Sequence, residues 1–461
     1  LWTKTTKING LLMTKQIYSA ATLGLNHEMM DQDALQVIKK LQQNGFSGYV
    51  VGGGVRDLLL GKKPKDYDLV TDADPEKIRR IFGRNSMIIG RRFKIVHVYF
   101  ERKNEDRSAR IGKPSFARHI LEVSTFRSNK VHEQALSEHG RILVDNNYGD
   151  MDEDAFRRDF TVNALYYDPI AEIVVDYHNG IQDIEKRLIR VIGNPYERYL
   201  EDPVRVLRAI RLSEKLGLAI DENTYINFRN VKHLLLNEPK GRLFEEMLKL
   251  LMSGNALSVV RELYELKIPR KVFPLLDKLF FNPTPDEFAL KVLEKTDLRL
   301  AGNEDVSLIF ILAGMMWPPI YKSWLQELEE NPHPRQALMD AIARNKDPIF
   351  ASGISQNLYS SIREVWMLQV DFDLPSFARL EHVPVHGRFR QAWHLFNLRN
   401  EFKQVDPLLF DWWNRFMVAD ETLRTELLVE LGDIAPPEYK KKRKARKPKR
   451  RRTKHKPAAA E

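Results

Sequence analysis

Apolar and polar positions follow two regimes along the chain. From about residue 32 to 178, short stretches of helical and strand periodicity take turns; from about Asp183 to residue 432 the strand period nearly vanishes and helical windows follow one another. In the first regime Leu35, Val37, Ile38 and Leu41 form a helical stripe, Gly48 to Val51 a β-rich run, and Arg56 to Leu60 a short helix stopped by Gly61. Asp66 to Thr71 predicts a strand, Pro75 to Phe82 a helix, and Phe93 to Phe100 and His119 to Phe126 two more strands with period-two alternation. Proline-rich joints near Asn282 to Pro285, Trp317 to Pro319 and Asn331 to Pro334 divide the second regime. The pattern predicts an α+β protein, with a mixed β-sheet domain first and mostly α-helical domains after it.

Composition narrows this picture. A chain of 461 residues exceeds what one core supports, and the absence of cysteine excludes disulfide scaffolds, thiolate metal sites and cysteine nucleophiles. No run reaches the roughly 18 to 20 apolar residues of a membrane span, so no stable span is expected and a cytoplasmic location fits. The net charge of +10 is unevenly placed: residues 440 to 461 hold thirteen Lys and Arg and one acid, a local charge of +12, leaving −2 for residues 1 to 439. The tail from Tyr439 to Lys456 is too basic to bury a core and is expected to be disordered. A near-neutral body with a polycationic arm must attract anions by local geometry.

Chemistry concentrates in four segments. In Val50-Val51-Gly52-Gly53-Gly54-Val55-Arg56-Asp57, small residues at a strand-to-helix turn let backbone N–H groups face a phosphate, and Arg56 adds a fork. Three glycines alone fit a plain tight turn equally well. Asp66 and Asp68 follow; alternate strand residues share one face about 7 Å apart, so two carboxylates there can converge on one or two divalent ions. Glu122, charged within an otherwise apolar strand, can complete an oxygen cage of the kind Mg²⁺ prefers, although an edge position facing water explains it nearly as well.

Farther on, the Arg157-Arg158-Asp159 triplet in Asp154 to Leu165 offers a phosphate fork and a carboxylate able to hold a ribose hydroxyl. In Glu201 to Arg211, Asp202 is placed as a helix N-cap and Pro203 as the first helical residue, leaving Arg205, Arg208 and Arg211 as one basic stripe. Two negatives count: Pro384 spoils a helix between His382 and His386, and no HExxH or His-Asp dipeptide occurs. Phe410, Trp412 and Trp413 are expected to belong to a core rather than to a base-stacking platform.

The Gly-Gly-x-Val-Arg-Asp turn, the Asp-x-Asp strand, the Arg-Arg-Asp-Phe-Thr-x-Asn-Ala segment and the Glu-Asp-Pro-x-Arg-x-x-Arg helix occur here in that order, over residues 48 to 211. This series resembles the class II nucleotidyltransferases, the bacterial poly(A) polymerases and tRNA CCA-adding enzymes. The resemblance implies an N-terminal extension over 1–30, expected to be poorly ordered, a nucleotidyltransferase head over 31–178, a helical neck over 179–265, a helical body over 266–435 and a basic tail over 436–461.

It also implies that Asp66 and Asp68 hold two Mg²⁺ ions, for which Mn²⁺ can substitute, with Glu122 supporting the metal site. Asp66, Asp68 and Asp159 are then catalytic, and Asp159 contacts the ribose. Gly52, Gly53, Arg56 and Arg158 would cradle phosphates, and Asp202 and Arg205, with Arg208 beside them, would bind the nucleobase end of ATP. An acceptor beside a donor suits both adenine and cytosine, so this pair does not choose between them.

Gly90-Arg91-Arg92-Phe93-Lys94-Ile95-Val96-His97-Val98 resembles a signature of the poly(A) polymerases, and the tail suits sequence-blind RNA holding. The expected activity is template-independent addition of AMP from ATP to RNA 3′ ends, marking transcripts for decay, with RNA-decay or RNA-chaperone proteins as partners. The rivals are a CCA-adding tRNA enzyme and a non-catalytic RNA-binding protein on the same scaffold.

Overall fold

The structure, a computed structural model, describes residues 2–8, 11–90, 93–103, 116–128, 147–280, 285–347, 352–376, 379–380 and 382–434. The basic tail, and Arg91 and Arg92 of the 90–98 segment, lie outside the described residues. Contacts divide the chain into two compact units, residues 1–273 and 274–461.

The first unit is built on a nine-stranded sheet of β1 (Trp2–Ile8), β2 (Leu11–Ser19), β3 (Tyr49–Val51), β4 (Asp68–Thr71), β5 (Ser86–Ile89), β6 (Ile95–Lys103), β7 (Phe116–Thr125), β8 (Leu165–Asp168) and β9 (Ile173–Asp176). Their order is β1-β2-β9-β8-β3-β4-β7-β6-β5. All described neighbours run antiparallel except β4 and β7, which run parallel because a helix and two strands cross over between them. The sheet is therefore mixed, as the alternating pattern predicts. Within the stretch expected to be a poorly ordered extension, β1 and β2 pair with each other, and Gln16 to Ser19 pair along β9, with Ile17 opposite Val175.

Helix α1 (Gln32–Gln43) buries the stripe Leu35, Val37, Ile38 and Leu41, and its N-cap Asp31 accepts from Asp33 N and Ala34 N. Helix α2 (Gly53–Leu59) starts directly behind β3, three residues earlier than its apolar pattern suggests, and α3 (Pro75–Phe82) is capped by Asp74. On one sheet face Val51, Val70, Tyr166 and Val175 meet Ala155 of α4 (Met151–Arg157) in a buried cluster. Beyond the sheet come α5 (Gly180–Glu185), α6 (Pro195–Glu201), α7 (Val204–Leu216) and the helix Lys240–Leu251.

The second unit is helical among its described residues. Trp317-Pro318-Pro319 and Pro334 open helices there, Trp317–Glu330 and Pro334–Arg344, because proline fits the first turn, where its missing N–H has no partner to lose. Trp412 and Trp413 are fully buried, donating to Leu427 O and Phe372 O, which makes them core. No single described helix is long and apolar enough to cross a membrane.

Candidate active site

The site grows from the end of β3. Gly52 adopts φ +71°, a conformation costly for any side-chain-bearing residue, and turns the chain into α2. A Cβ at Gly52 would stand 3.6 Å from Arg158 Nη1 and 3.8 Å from Asp68 Oδ2, so backbone, guanidinium and carboxylate converge on this turn.

Register does the rest. Val51 pairs with Asp68, Asp68 with Glu122, and Glu122 with His97, so one row across β3, β4, β7 and β6 carries these side chains on a common face. Asp66 lies two residues ahead of Asp68, before β4 begins and not within the strand as its pattern predicts. Asp66, Asp68 and Glu122 are all open to solvent. Surrounding protein nevertheless pushes the Asp68 carboxyl pKa up, Glu122 and Asp66 add to the rise, and Arg158 opposes it.

A set of carboxylates that repel one another, with no sulfur ligand, suits a hard divalent cation. Glu122 leans toward β6, with Oε1 3.5 Å from His97 Nε2. Among the described residues the acidic group whose ligand atoms lie within 4.8 Å of one another is instead Asp31, Asp33 and His119; the set of Asp66, Asp68 and Glu122 stands wider. Asp31 is there as the cap of α1, and His119 Nδ1 lies 2.7 Å from Asp33 Oδ2.

Arg158 is held by groups that the sequence reading left without a role. Its Nε and Nη2 donate to Asp154 Oδ2 at 3.2 and 2.9 Å, Nε also reaches Tyr166 OH at 3.1 Å, and Tyr166 OH donates to the same carboxylate oxygen at 2.7 Å. Burial alone would raise the Asp154 pKa, but Arg158 and these hydrogen bonds overcome it and hold the carboxyl below its usual range. The anchored side keeps Nη1 beside Gly52.

Asp159 sits in a chain of contacts linking the turn to the helices beyond. Its Oδ1 accepts from Phe160 N at 2.8 Å and Asn163 Nδ2 at 3.0 Å, while Oδ2 lies 3.8 Å from Arg208 Nη1. Asn163 Oδ1 in turn accepts from Arg56 Nη1 at 2.6 Å. Arg56, expected to cradle phosphate, is 5% exposed, and its other nitrogens bond Asp57, so here it orients Asn163 and through it Asp159.

Asp202 closes α6 instead of capping α7, although its Oδ1 still accepts from Val204 N at 3.1 Å. Asp202 and Arg205, expected to face the base together, each hold a separate ion-pair partner. Arg242, from the helix Lys240–Leu251, donates through Nη2 to both Asp202 oxygens at 2.8 Å, and Arg205 bonds Glu201 at 3.1 Å. Burial works against the Asp202 charge, but Arg242, Arg208 and Arg205 bring its pKa below the ordinary value. Arg208 also lies 3.8 Å from the buried Glu246, and burial lowers the pKa of Arg211 one turn on.

Comparison with known proteins identifies the family. Residues 48–190 match the family described as the poly A polymerase head domain. Residues 217–280 match a probable RNA and SrmB-binding site of polymerase A, and residues 329–454 the polymerase A arginine-rich C-terminus. The chain is 35% identical over 460 residues to the poly(A) polymerase I of Haemophilus influenzae, covering 95% of each.

The chain belongs to the poly(A) polymerase I family.

A CCA-adding enzyme of Staphylococcus epidermidis is 32% identical over 253 residues, 54% of this chain and 56% of its own. The crystal structure of the Bacillus stearothermophilus CCA-adding enzyme in complex with CTP covers 88% of this chain and 92% of its own at 22% identity, with a TM-score of 0.48. Members of the poly(A) polymerase I family are nucleotidyltransferases that act on RNA, and the motifs that carried the resemblance lie mostly within the matched head.

Sequence reasoning missed Arg242, Glu246, Asp154, Tyr166 and Asn163 as parts of this family member's site. Asp154 and Asn163 stand inside the Arg-Arg-Asp segment, where their spacing from Arg158 and Asp159 could have exposed them. Arg242 gives no local signal, since forty residues separate it from Asp202.

Proposed function

We propose that this chain adds AMP from ATP to RNA 3′ ends without a template, releasing pyrophosphate, in the cytoplasm, and that the tails promote RNA decay. The observation that carries the reading is the row that sets Asp68 beside Glu122 next to the Gly52 turn and Arg158. The length of the match to the poly(A) polymerase I relative supports A addition over CCA addition, where the similarity covers about half of the chain.

In this reading residues 31–178 are the catalytic head, 179–265 the neck, 266–435 an RNA-binding body and 436–461 an RNA-holding tail. Asp66, Asp68 and Glu122 would hold divalent ions. Two Mg²⁺, or Mn²⁺ in their place, supply polarisation of the attacking hydroxyl and neutralisation of the triphosphate. Gly52 and Gly53 N–H groups and Arg158 receive the phosphates, with Arg158 presented by Asp154 and Tyr166. Asp159, fixed by Asn163, meets the ribose. Asp202, Arg205 and Arg208 face the base, and Arg242 fixes the direction in which Asp202 offers its free lone pairs.

Incubating the protein with Mg²⁺, a generic RNA and each NTP in turn tests this. Long tails from ATP alone are the expected result. Addition of three nucleotides confined to tRNA lacking its end would defeat it in favour of the CCA-adding reading. RNA handling in cells and ATP incorporation both left unchanged by Asp68→Ala would defeat the mechanism and favour the non-catalytic reading.

A further inference from the structure

The second unit holds a cavity of about 680 Å³, bounded by the helices Pro334–Arg344 and Gln356–Asp373 and by Arg379, His382, Val383 and His386. Its chemistry is two-sided. Met339, Met367 and Val383 line it with apolar, deformable surface, and Arg335, Arg363 and Arg379 bring three guanidiniums to the same wall.

Among the described lining residues the charges leave cation in excess. One buried carboxylate, Asp371, serves two arginines at once, with Arg335 Nη2 at 2.5 Å from Oδ1 and Arg379 Nη1 at 2.8 and 3.1 Å from Oδ1 and Oδ2. Glu364, the other acid among the described lining residues, is matched by Arg388 at 3.5 Å. Arg363 is exposed on Gln356–Asp373 and forms no ion pair among the described residues. Two of the three wall arginines are thus held in place by a carboxylate they share, and the third stands open.

We propose that this cavity is a second RNA site, separate from the head, which takes one or two unpaired nucleotides of the RNA strand. The proposal rests on the reading that RNA is the substrate, and adds where a second stretch of it is held. The guanidiniums suit phosphate oxygens by bidentate hydrogen bonding and can stack on base planes, and the methionines accept a base face without reading its edge. The volume falls within the range of small-ligand sites and exceeds the needs of a lone phosphate. An apolar lining with surplus arginine also disfavours a purely acidic peptide, whose carboxylates would leave that lining unfilled.

The test uses the full chain and a 20-nucleotide single-stranded RNA. Arg363→Glu touches an exposed side chain, so its melting temperature should match the wild type; it should weaken RNA binding about tenfold. It should also reduce the salt dependence by about one phosphate contact, while the KM for ATP and the kcat at saturating RNA stay unchanged. Arg363→Lys, which keeps the charge, should restore the salt dependence.

Unchanged RNA affinity in Arg363→Glu overturns the proposal. So does loss of binding to an acidic peptide with RNA binding intact, which would make the cavity a protein-docking site. If the wild type binds RNA and Arg363→Glu does not, yet the wild type incorporates no nucleotide, the proposed activity fails while the cavity assignment stands.

Discussion

Asp68 is a carboxylate whose ionised form is costly to the fold and which the proposed reaction uses. Its pKa is raised by surrounding protein and by Glu122 and Asp66, so its ionised form is disfavoured in the folded chain relative to the unfolded one. By linkage that cost is present above the folded pKa and disappears as pH falls below the ordinary carboxylate value. Asp68→Asn should therefore melt no lower than the wild type at pH 7, while AMP transfer at saturating ATP falls about 10² to 10³-fold. Calorimetry and a primer-extension assay read the two effects, and a lowered melting temperature would show that Asp68 is structural.

Asp202 is the reverse case, held below the ordinary value against burial by Arg242 first. Arg242→Gln strands that carboxylate and should cost about 2 to 4 kcal/mol of stability at pH 7, with the KM for ATP rising about tenfold or more. The stability difference should shrink as pH drops through the Asp202 pKa, because the wild type then loses the pair as well. Equal ATP KM in the variant would remove Asp202 from base recognition.

The connection from β9 into α5 packs closely against the segment that carries Asp159. Asp176 gathers the N–H groups of His178, Gly180 and Ile181, which bends the chain tightly at the end of the strand. A Cβ at Gly180 would lie 2.3 Å from Thr161 O, in the segment between Asp159 and Asn163. Gly180→Ala should destabilise the first unit by about 1 to 3 kcal/mol and lower kcat, since the backbone that must move carries Asp159. Unaltered kcat and melting temperature would show that this contact yields freely.

His178 in the same turn donates from Nε2 to Ala155 O, and burial lowers its pKa to about 4. Its folded pKa lies below the unfolded one, so protonation favours unfolding, and stability should fall by up to about 3 kcal/mol between pH 6.5 and 4. A non-ionising Gln at this position should flatten that limb of a stability-versus-pH curve. These element-level constraints were only partly legible beforehand. Strands such as β4 and β7 announce themselves by alternation, but β2 stands out only once β9 offers it an edge, and β1 only once β2 is in place.

For the molecule as a whole, charge segregation makes the clearest forecast. Removing residues 440 to 461 deletes thirteen cations and one acid, so RNA affinity should fall and its salt dependence flatten, with ATP affinity nearly intact. Filter binding across a salt series reads this directly, and an unaltered slope would refute it. The helical second half, its proline-marked helix starts and its tryptophan core could be anticipated, because amphipathic period and proline placement act locally.

The sequence alone determined the class of protein and singled out the candidate acids, since the Gly-rich turn with Asp66 and Asp68, and the Arg-Arg-Asp segment, are each short local motifs that carry their chemistry in their spacing. Only the tertiary structure decided the partners. It placed Glu122 in register with Asp68 yet leaning to His97, turned Arg56 inward onto Asn163, and set Arg242 against Asp202 and Glu201 against Arg205. The reason is physical: a local pattern records which face a residue occupies, whereas long side chains choose ion-pair partners by distance and burial across strands and helices remote in the chain.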